Sequence, residues 1–240
     1  MAYSFNGTSS KLVMSGSPLA LTWQTGSLWF YPTDDTLADQ CLFAVVNSNG
    51  SNNQGVWYGS TSVGGKVYYT KNSTLGATVP AVSVAAATLN AWNHVYWSTD
   101  ASGSPIQYQI SLNGETLVEQ NITDPGGTTT AQTCCGFLRT GVSTGTSWFK
   151  GYIAELALYD DTMDVTYGDR YKALYRRWKP IRLFTIDALE LALGVTHYWP
   201  FRSRLQDSIR RRDFGSAAPP TRVDEHPPIR PIRGGQLTIG

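Results

Sequence analysis

The chain has 240 residues, with 23 Gly, 8 Trp and 13 Tyr, and only 15% of its residues are charged. That mixture excludes a coiled coil and a disordered chain, and it suits short strands joined by polar turns with aromatic rings packed between sheets. The net charge of +1 conceals a division: residues 1–168 hold 5 Lys/Arg and 11 Asp/Glu, whereas residues 169–240 hold 14 Lys/Arg and 7 Asp/Glu, together with 7 of the 12 prolines. A mildly acidic body is thus followed by a basic, Pro-punctuated extension suited to an acidic surface, whether nucleic acid, another protein or a sister subunit.

Met1-Ala2-Tyr3-Ser4-Phe5 lacks the basic and apolar blocks of a secretory signal, and no run reaches the roughly 18–20 apolar residues that span a bilayer. The three cysteines, Cys41 and the adjacent Cys134-Cys135, make a poor disulfide framework, so folding in a reducing cytosol is expected. No Cys-x-x-Cys or His-x-x-x-His spacing points to a structural zinc site.

In chain order, Ser27-Leu28-Trp29-Phe30-Tyr31 reads as a strand running into a turn at Pro32, and Cys41–Val46, apolar on both faces, as a central strand. Val56-Trp57-Tyr58 and Lys66–Thr70 flank a turn at Gly64-Gly65. Trp92–Trp97 and Ile106–Leu112 alternate clearly, and the second leads into Asn113-Gly114, a type I′ hairpin signal answered by Leu117-Val118. Phe149–Tyr159 is the last long strand. The period then changes. Met163, Tyr167, Tyr171, Leu174, Tyr175 and Trp178 lie on one face of a helix stopped by Pro180, and a shorter helix is predicted over Ile186–Leu193. After Phe214 the chain has too few apolar residues for a core of its own and is expected to be extended.

Five segments in order resemble one family. Tyr3–Leu12 is similar to an opening "F-x-G" strand, Leu28–Thr33 to a strand ending in Pro-Thr, Trp92–Val95 to a "W-x-H-V" strand, Ile110–Gly114 to the hairpin after it, and Phe149–Tyr159 to a closing "F-x-G-x-I-x-E" strand. The pattern is that of laminin-G-like, concanavalin A-like lectin domains. The resemblance implies a mainly β fold, a jelly-roll sandwich of two antiparallel sheets. A Tyr-Trp-Pro segment that often precedes such domains stands here near the C-terminus, at Thr196–Phe201, followed by Leu205–Ser208 and Asp213–Gly215. The expected organisation is a sandwich over 1–160, a helical connector over 161–195, and a returning strand over 196–215 that closes this sandwich or a neighbour's. An extended assembly arm over 216–240 follows. Lectin-like jelly rolls with trailing arms also look like virion structural proteins of tailed phages. The leading expectation is therefore a capsid decoration or tail component, located in a virion assembled in the host cytoplasm, with other virion proteins and copies of itself as partners.

The arm residues expected to grip a partner are Arg222, Ile229, Arg230, Pro231, Ile232 and Arg233, because proline lowers the entropy cost of laying an extended strip in a groove. The Arg202–Arg212 run also fits nucleic acid, but no nucleic-acid fold accompanies it, so a protein surface is the preferred partner. The alternative function is a carbohydrate-binding module for cell-surface or environmental glycans. Trp57, Tyr58, Tyr68 and Tyr69 stand near the Asn-rich loop that includes Asn52 and Asn53, which brings stacking rings and hydroxyl partners together, although alternating aromatics also fill cores. The weaker alternative, a glycan hydrolase, lacks the paired carboxylates of an E-x-D-x-x-E strand. His94 reads as a packing residue. No catalytic residue and no resident metal or cofactor is expected. The one cofactor option is Ca²⁺, with Asp34, Asp35 and Asp39, or Asp160, Asp161 and Asp164, as oxygen donors that otherwise serve as turns and caps.

Overall fold

A computed structural model describes residues 2–14, 25–46, 53–59, 61, 63–71, 81–100, 105–122, 132–139, 145–159, 195–199, 214–215, 220–223 and 227. The two helices expected at 163–178 and 186–193, and all of 229–240, lie outside the described residues.

The described residues build two antiparallel sheets. One runs β10 (Val118–Ile122), β9 (Ile106–Leu112), β8 (Asn93–Asp100), β3 (Thr25–Pro32), β14 (Lys150–Tyr159), β1 (Ala2–Asn6), β17 (Thr221–Val223), and β15 (Val195–Trp199) also pairs with β14. The other runs β16 (Phe214–Gly215), β2 (Leu12–Met14), β11 (Gln132–Cys135), β4 (Asp39–Val46), β5 (Asn53–Gly59), β6 (Lys66–Lys71), β7 (Ala81–Ala86). Between β11 and β14 a small ribbon pairs β12 (Leu138–Arg139) with β13 (Gly145–Thr146).

The sheets face each other because alternate residues of nearly every strand are large and apolar. Phe5, Leu28, Phe30, Val95, Trp97, Ile110, Leu112, Ile153 and Leu156 from one sheet meet Leu12, Leu42, Phe43, Val45, Val56, Tyr58, Val67 and Tyr69 from the other. Strand β4 carries a register shift between Cys41 and Phe43, and Leu42 and Phe43 both join this interior while Cys41 and Ala44 belong to a cluster on the outer face. The Asn113-Gly114 hairpin forms as read, with φ of 52° and 70°, the positive values a type I′ turn requires.

In and around the stretch expected to return and complete a sandwich, 196–215, and in the arm after it, short pieces of the tail pair with the chain's own sheets. Strand β17 lies on β1, with Arg222 opposite Tyr3. Strand β16 lies on β2, and β15 lies on β14 of the same chain, with Leu156 opposite Trp199 and Tyr159 opposite Val195. Three short pieces of the basic extension thus extend the chain's own sheets. An edge strand offers a row of unpaired N–H and C=O groups, and nearby chain satisfies them at low entropic cost.

Gly136 marks a point where packing leaves no room. Its φ is 78°, its N–H donates to Leu42 O at 3.1 Å, and its C=O accepts from Phe149 N at 2.9 Å. A Cβ there would fall 2.1 Å from Phe5 Cε1, in a ring that is itself buried. Gly136→Ala is expected to destabilise the fold by about 2–4 kcal/mol through combined backbone strain and overpacking. A urea titration showing an unchanged midpoint would contradict this placement.

Candidate functional site

The four rings read from sequence as a sugar platform do not form one. Successive strand residues point to opposite faces, so Tyr58 and Tyr69 enter the interior between the sheets while Trp57 and Tyr68 turn to the outer face of the seven-stranded sheet. All four are buried, at 1% exposure or less. The hydroxyl of Tyr69 is engaged internally: it accepts from Gln54 Nε2 and lies 2.6 Å from Thr99 Oγ1. Burial holds that phenol well above the ordinary range, with the two hydrogen bonds opposing. Trp57 and Tyr68 stack on each other at 6.2 Å and 16°, beside Cys41, Cys134 and Phe137. Burial pushes the Tyr68 phenol well above the ordinary range, and the neighbouring Asp39 carboxylate reinforces that push. No ring face is left open for a pyranose. Of the two asparagines, Asn53 has a place only as backbone in β5, opposite Val46, and Asn52 lies outside the described residues.

The arm residues are likewise placed only in part. Arg222 is exposed on β17, where its charge lowers the Tyr3 phenol pKa against a larger upward push from burial. Ile229, Arg230, Pro231, Ile232 and Arg233 lie outside the described residues.

Asp34 is already committed. Its Oδ1 accepts from Thr36 N at 2.7 Å and Thr36 Oγ1 at 2.6 Å, and its Oδ2 accepts from Lys150 Nζ at 2.8 Å. The Lys150 ammonium thus sits on the Asp34 carboxylate. Gln40 ties the same corner, donating to Asp34 O at 2.7 Å and accepting from Lys150 N at 2.9 Å. Asp160, Asp161 and Asp164 lie outside the described residues, among which no group of three or more His, Cys, Asp or Glu is arranged to hold a metal. The three cysteines are free and buried, and burial raises the thiols of Cys41 and Cys135, the reverse of what a reactive thiolate needs.

The outer face of the eight-stranded sheet carries a feature the sequence did not single out. Register places Thr221, Ser4, Tyr152 and Tyr31 side by side across β17, β1, β14 and β3. Trp92 completes the row just before β8. The three rings touch in turn: Tyr31 and Tyr152 at 5.3 Å and 44°, Tyr31 and Trp92 at 5.7 Å and 71°, Trp92 and Tyr152 at 6.5 Å and 39°. All three are half-buried, with exposed Thr221 at one end and the exposed Asn90 turn at the other, held through its N–H to Pro32 O at 2.9 Å. Beside them on the same face Trp29 and His94 pack at 5.0 Å.

The loop carrying Trp92 is fixed by one side chain. Asn93, fully buried, accepts from Thr88 N at 2.9 Å and from Asn113 Nδ2 at 3.1 Å. Its amide donates to Thr88 O at 2.9 Å and Ala91 O at 2.8 Å. Burial of such an amide is tolerated because each of its atoms finds a partner. The result is a rigid, partly open aromatic surface with hydroxyl and amide groups at its rim, a combination suited to stacking an apolar sugar face and bonding its hydroxyls.

A family model described as the concanavalin A-like lectin/glucanases superfamily, Laminin_G_3, matches residues 6–166. No curated protein sequence matches the chain. Among solved structures, the heptameric SAP-like pentraxin from Limulus polyphemus superposes with a TM-score of 0.59 at 14% identity, over 75% of this chain and 83% of that chain. The CBM40 of Ruminococcus gnavus IT-sialidase superposes at 0.53 and 20% identity, over 73% of this chain and 98% of that chain. Bound to α2,3 sialyllactose, that module superposes at 0.50 and 20%, covering 69% and 94%. At these identities the likeness is one of fold.

Charge on Asp34 contributes to stability in a definite direction. Its carboxyl is held well below the usual carboxylate range, first by the hydrogen bond from Lys150 and then by those from Thr36. The contribution is fully present above the unfolded value near 4 and is lost as pH falls toward the folded one. Lys150 is nearly half exposed, so the pair is worth at most about 1 kcal/mol. Asp34→Asn is expected to lower the melting temperature slightly at pH 7, and the gap to wild type should narrow steadily below pH 4. A gap that widens on acidification would show the sign to be wrong.

Proposed function

Because the chain belongs to the concanavalin A-like lectin/glucanase superfamily, we propose that it is a carbohydrate-binding module that recognises glycans without cleaving them. The observation that carries this reading is the half-buried Tyr31–Trp92–Tyr152 surface. Rings of this kind offer a pyranose its stacking partner, and Ser4, Thr221 and Asn90 offer hydroxyl and amide groups at the rim. The resemblance in fold to a module that binds α2,3 sialyllactose supports the same class of ligand.

The non-catalytic half of the reading rests on chemistry at this face. Glycoside hydrolysis by the common routes needs two carboxyl groups flanking the scissile bond, about 5–9.5 Å apart. The row Thr221–Ser4–Tyr152–Tyr31 and the adjoining Trp92 contain neither Asp nor Glu. Glu155, three residues on from Tyr152, is buried and held at φ 53° in a strand irregularity. A virion role rests on a lectin-like jelly roll with a trailing arm, and Arg222, the one of the six named arm residues with a described position, pairs within the chain's own sheet.

A glycan array is expected to give hits that weaken at least about tenfold, equivalent to about 1.4 kcal/mol, in Trp92→Ala and in Tyr152→Ala. Both variants should keep near-wild-type circular dichroism. An empty array, or binding unchanged in both variants, would reject the site. Polysaccharide hydrolysis by the purified wild-type chain would reject the non-catalytic reading.

A further inference from the structure

We propose that the ligand taken by the Tyr31–Trp92–Tyr152 face is an uncharged sugar, and that the Asp34–Lys150 pair sets this selectivity by keeping the ammonium beside the rings unavailable to an acidic glycan. The selectivity rests on the carbohydrate-binding reading and narrows its ligand class.

No formal charge lies in the row Thr221–Ser4–Tyr152–Tyr31 or on the adjoining Trp92. Lys150 stands two residues before Tyr152 on β14, opposite Asn6 as Tyr152 is opposite Ser4. Alternate strand residues share a face, so its Cα lies about 7 Å along the strand from that of Tyr152, within reach of a four-carbon stem. Its side chain is 46% exposed, and its Nζ lies 2.8 Å from Asp34 Oδ2. Asp34 comes three residues after Tyr31, and exposed Asp35 follows it. Arg222 is turned away. It lies opposite Tyr3, whose ring enters the interior, while its neighbour Val223 packs with Ala2 and Trp29 on the aromatic face.

The ion pair has a fixed half and a loose half, and Asp34 is the fixed one. Its Oδ1 is held by Thr36 N and Oγ1, its own C=O by Gln40, and its side chain is only 13% exposed. Lys150 turns to a ligand carboxylate or sulfate only by leaving Asp34, which then stands part-buried and poorly rehydrated. Such an exchange trades one anion for another and yields no net gain. The acidic ligand also loses hydration against three rings and meets, in Asp35, a second charge of its own sign. A neutral pyranose incurs none of these costs: it needs only the ring faces and the rim groups of Ser4, Thr221 and Asn90. The likeness to the sialyllactose-bound module is one of fold and assigns no charge to this face.

The test is an array printed with neutral glycans and, for each, its sialylated, uronate or sulfated counterpart. Wild-type hits should fall among the neutral members, with the acidic counterparts at least about tenfold weaker. Asp34→Asn, which keeps an acceptor for Thr36 and releases the ammonium, should strengthen binding of the acidic counterparts at least about fivefold and leave the neutral hits within about twofold. Adding Lys150→Met to Asp34→Asn should remove that gain. Wild-type hits that weaken in Trp92→Ala but are mainly acidic, an Asp34→Asn variant without the gain, or a gain that persists in the double variant would overturn the selectivity and leave the sugar site standing. An empty wild-type array, or hits unchanged in both Trp92→Ala and Tyr152→Ala, would bring down the sugar site and the selectivity with it.

Discussion

The structure depends on one geometric constraint: strand residues alternate between two faces, and two sheets share a single apolar interior. Leu28 and Phe30 go inward where Trp29 goes outward. Val56 and Tyr58 go inward where Trp57 goes outward, and Val67 and Tyr69 go inward where Tyr68 goes outward. Each fully buried large side chain contributes roughly 1.5–3 kcal/mol, so a one-residue slip in any of these strands would exchange an entire row of inner residues for outer ones. The irregularity in β4 is consistent with this. It brings Leu42 and Phe43 both into the interior and then restores the alternation, so that Ala44 lies outside and Val45 inside.

The same constraint explains the central position of β14. One of its edges is paired with β3 along nearly the whole strand, from Gly151 to Tyr159. The other is divided, with β1 covering Lys150 to Ile153 and β15 covering Leu156 to Tyr159. Glu155 stands at the changeover in a left-handed conformation, where the register to β3 also shifts. A ten-residue strand with only β1 beside it would leave half an edge of backbone groups unpaired. The Val195–Trp199 segment supplies the missing partner, which accounts for a Tyr-Trp segment so late in the chain.

Much of this was legible in the sequence, and the failures have a common cause. Hairpin and strand signals at Asn113-Gly114, Ile106–Leu112, Cys41–Val46 and Phe149–Tyr159 are local, and the structure carries each of them. Trp57, Tyr58, Tyr68 and Tyr69 form no sugar platform because nearness in sequence is not nearness in space: adjacent strand residues face opposite ways. Tyr31, Trp92 and Tyr152 are far apart in the chain and meet only through cross-strand register, which no local pattern encodes. Composition reads the 216–240 arm as seeking a partner surface. Its charge says little about backbone pairing, and short stretches such as Thr221–Val223 need no apolar core to join an edge already present.

Half-burial of the aromatic row is a compromise with consequences for recognition. A ring at 0% exposure, such as Tyr68 or Tyr69, has no face to offer. A lone exposed ring has a face but pays rotamer entropy when a ligand fixes it. Tyr31, Trp92 and Tyr152 avoid both penalties by leaning on one another in tilted and edge-on contacts, each worth about 0.5–1.5 kcal/mol beyond its buried area. Asn93 holds the Trp92 loop through four hydrogen bonds before any ligand arrives. The ordering cost is therefore met during folding, which is the condition under which a small, weakly contacting sugar is captured with useful affinity.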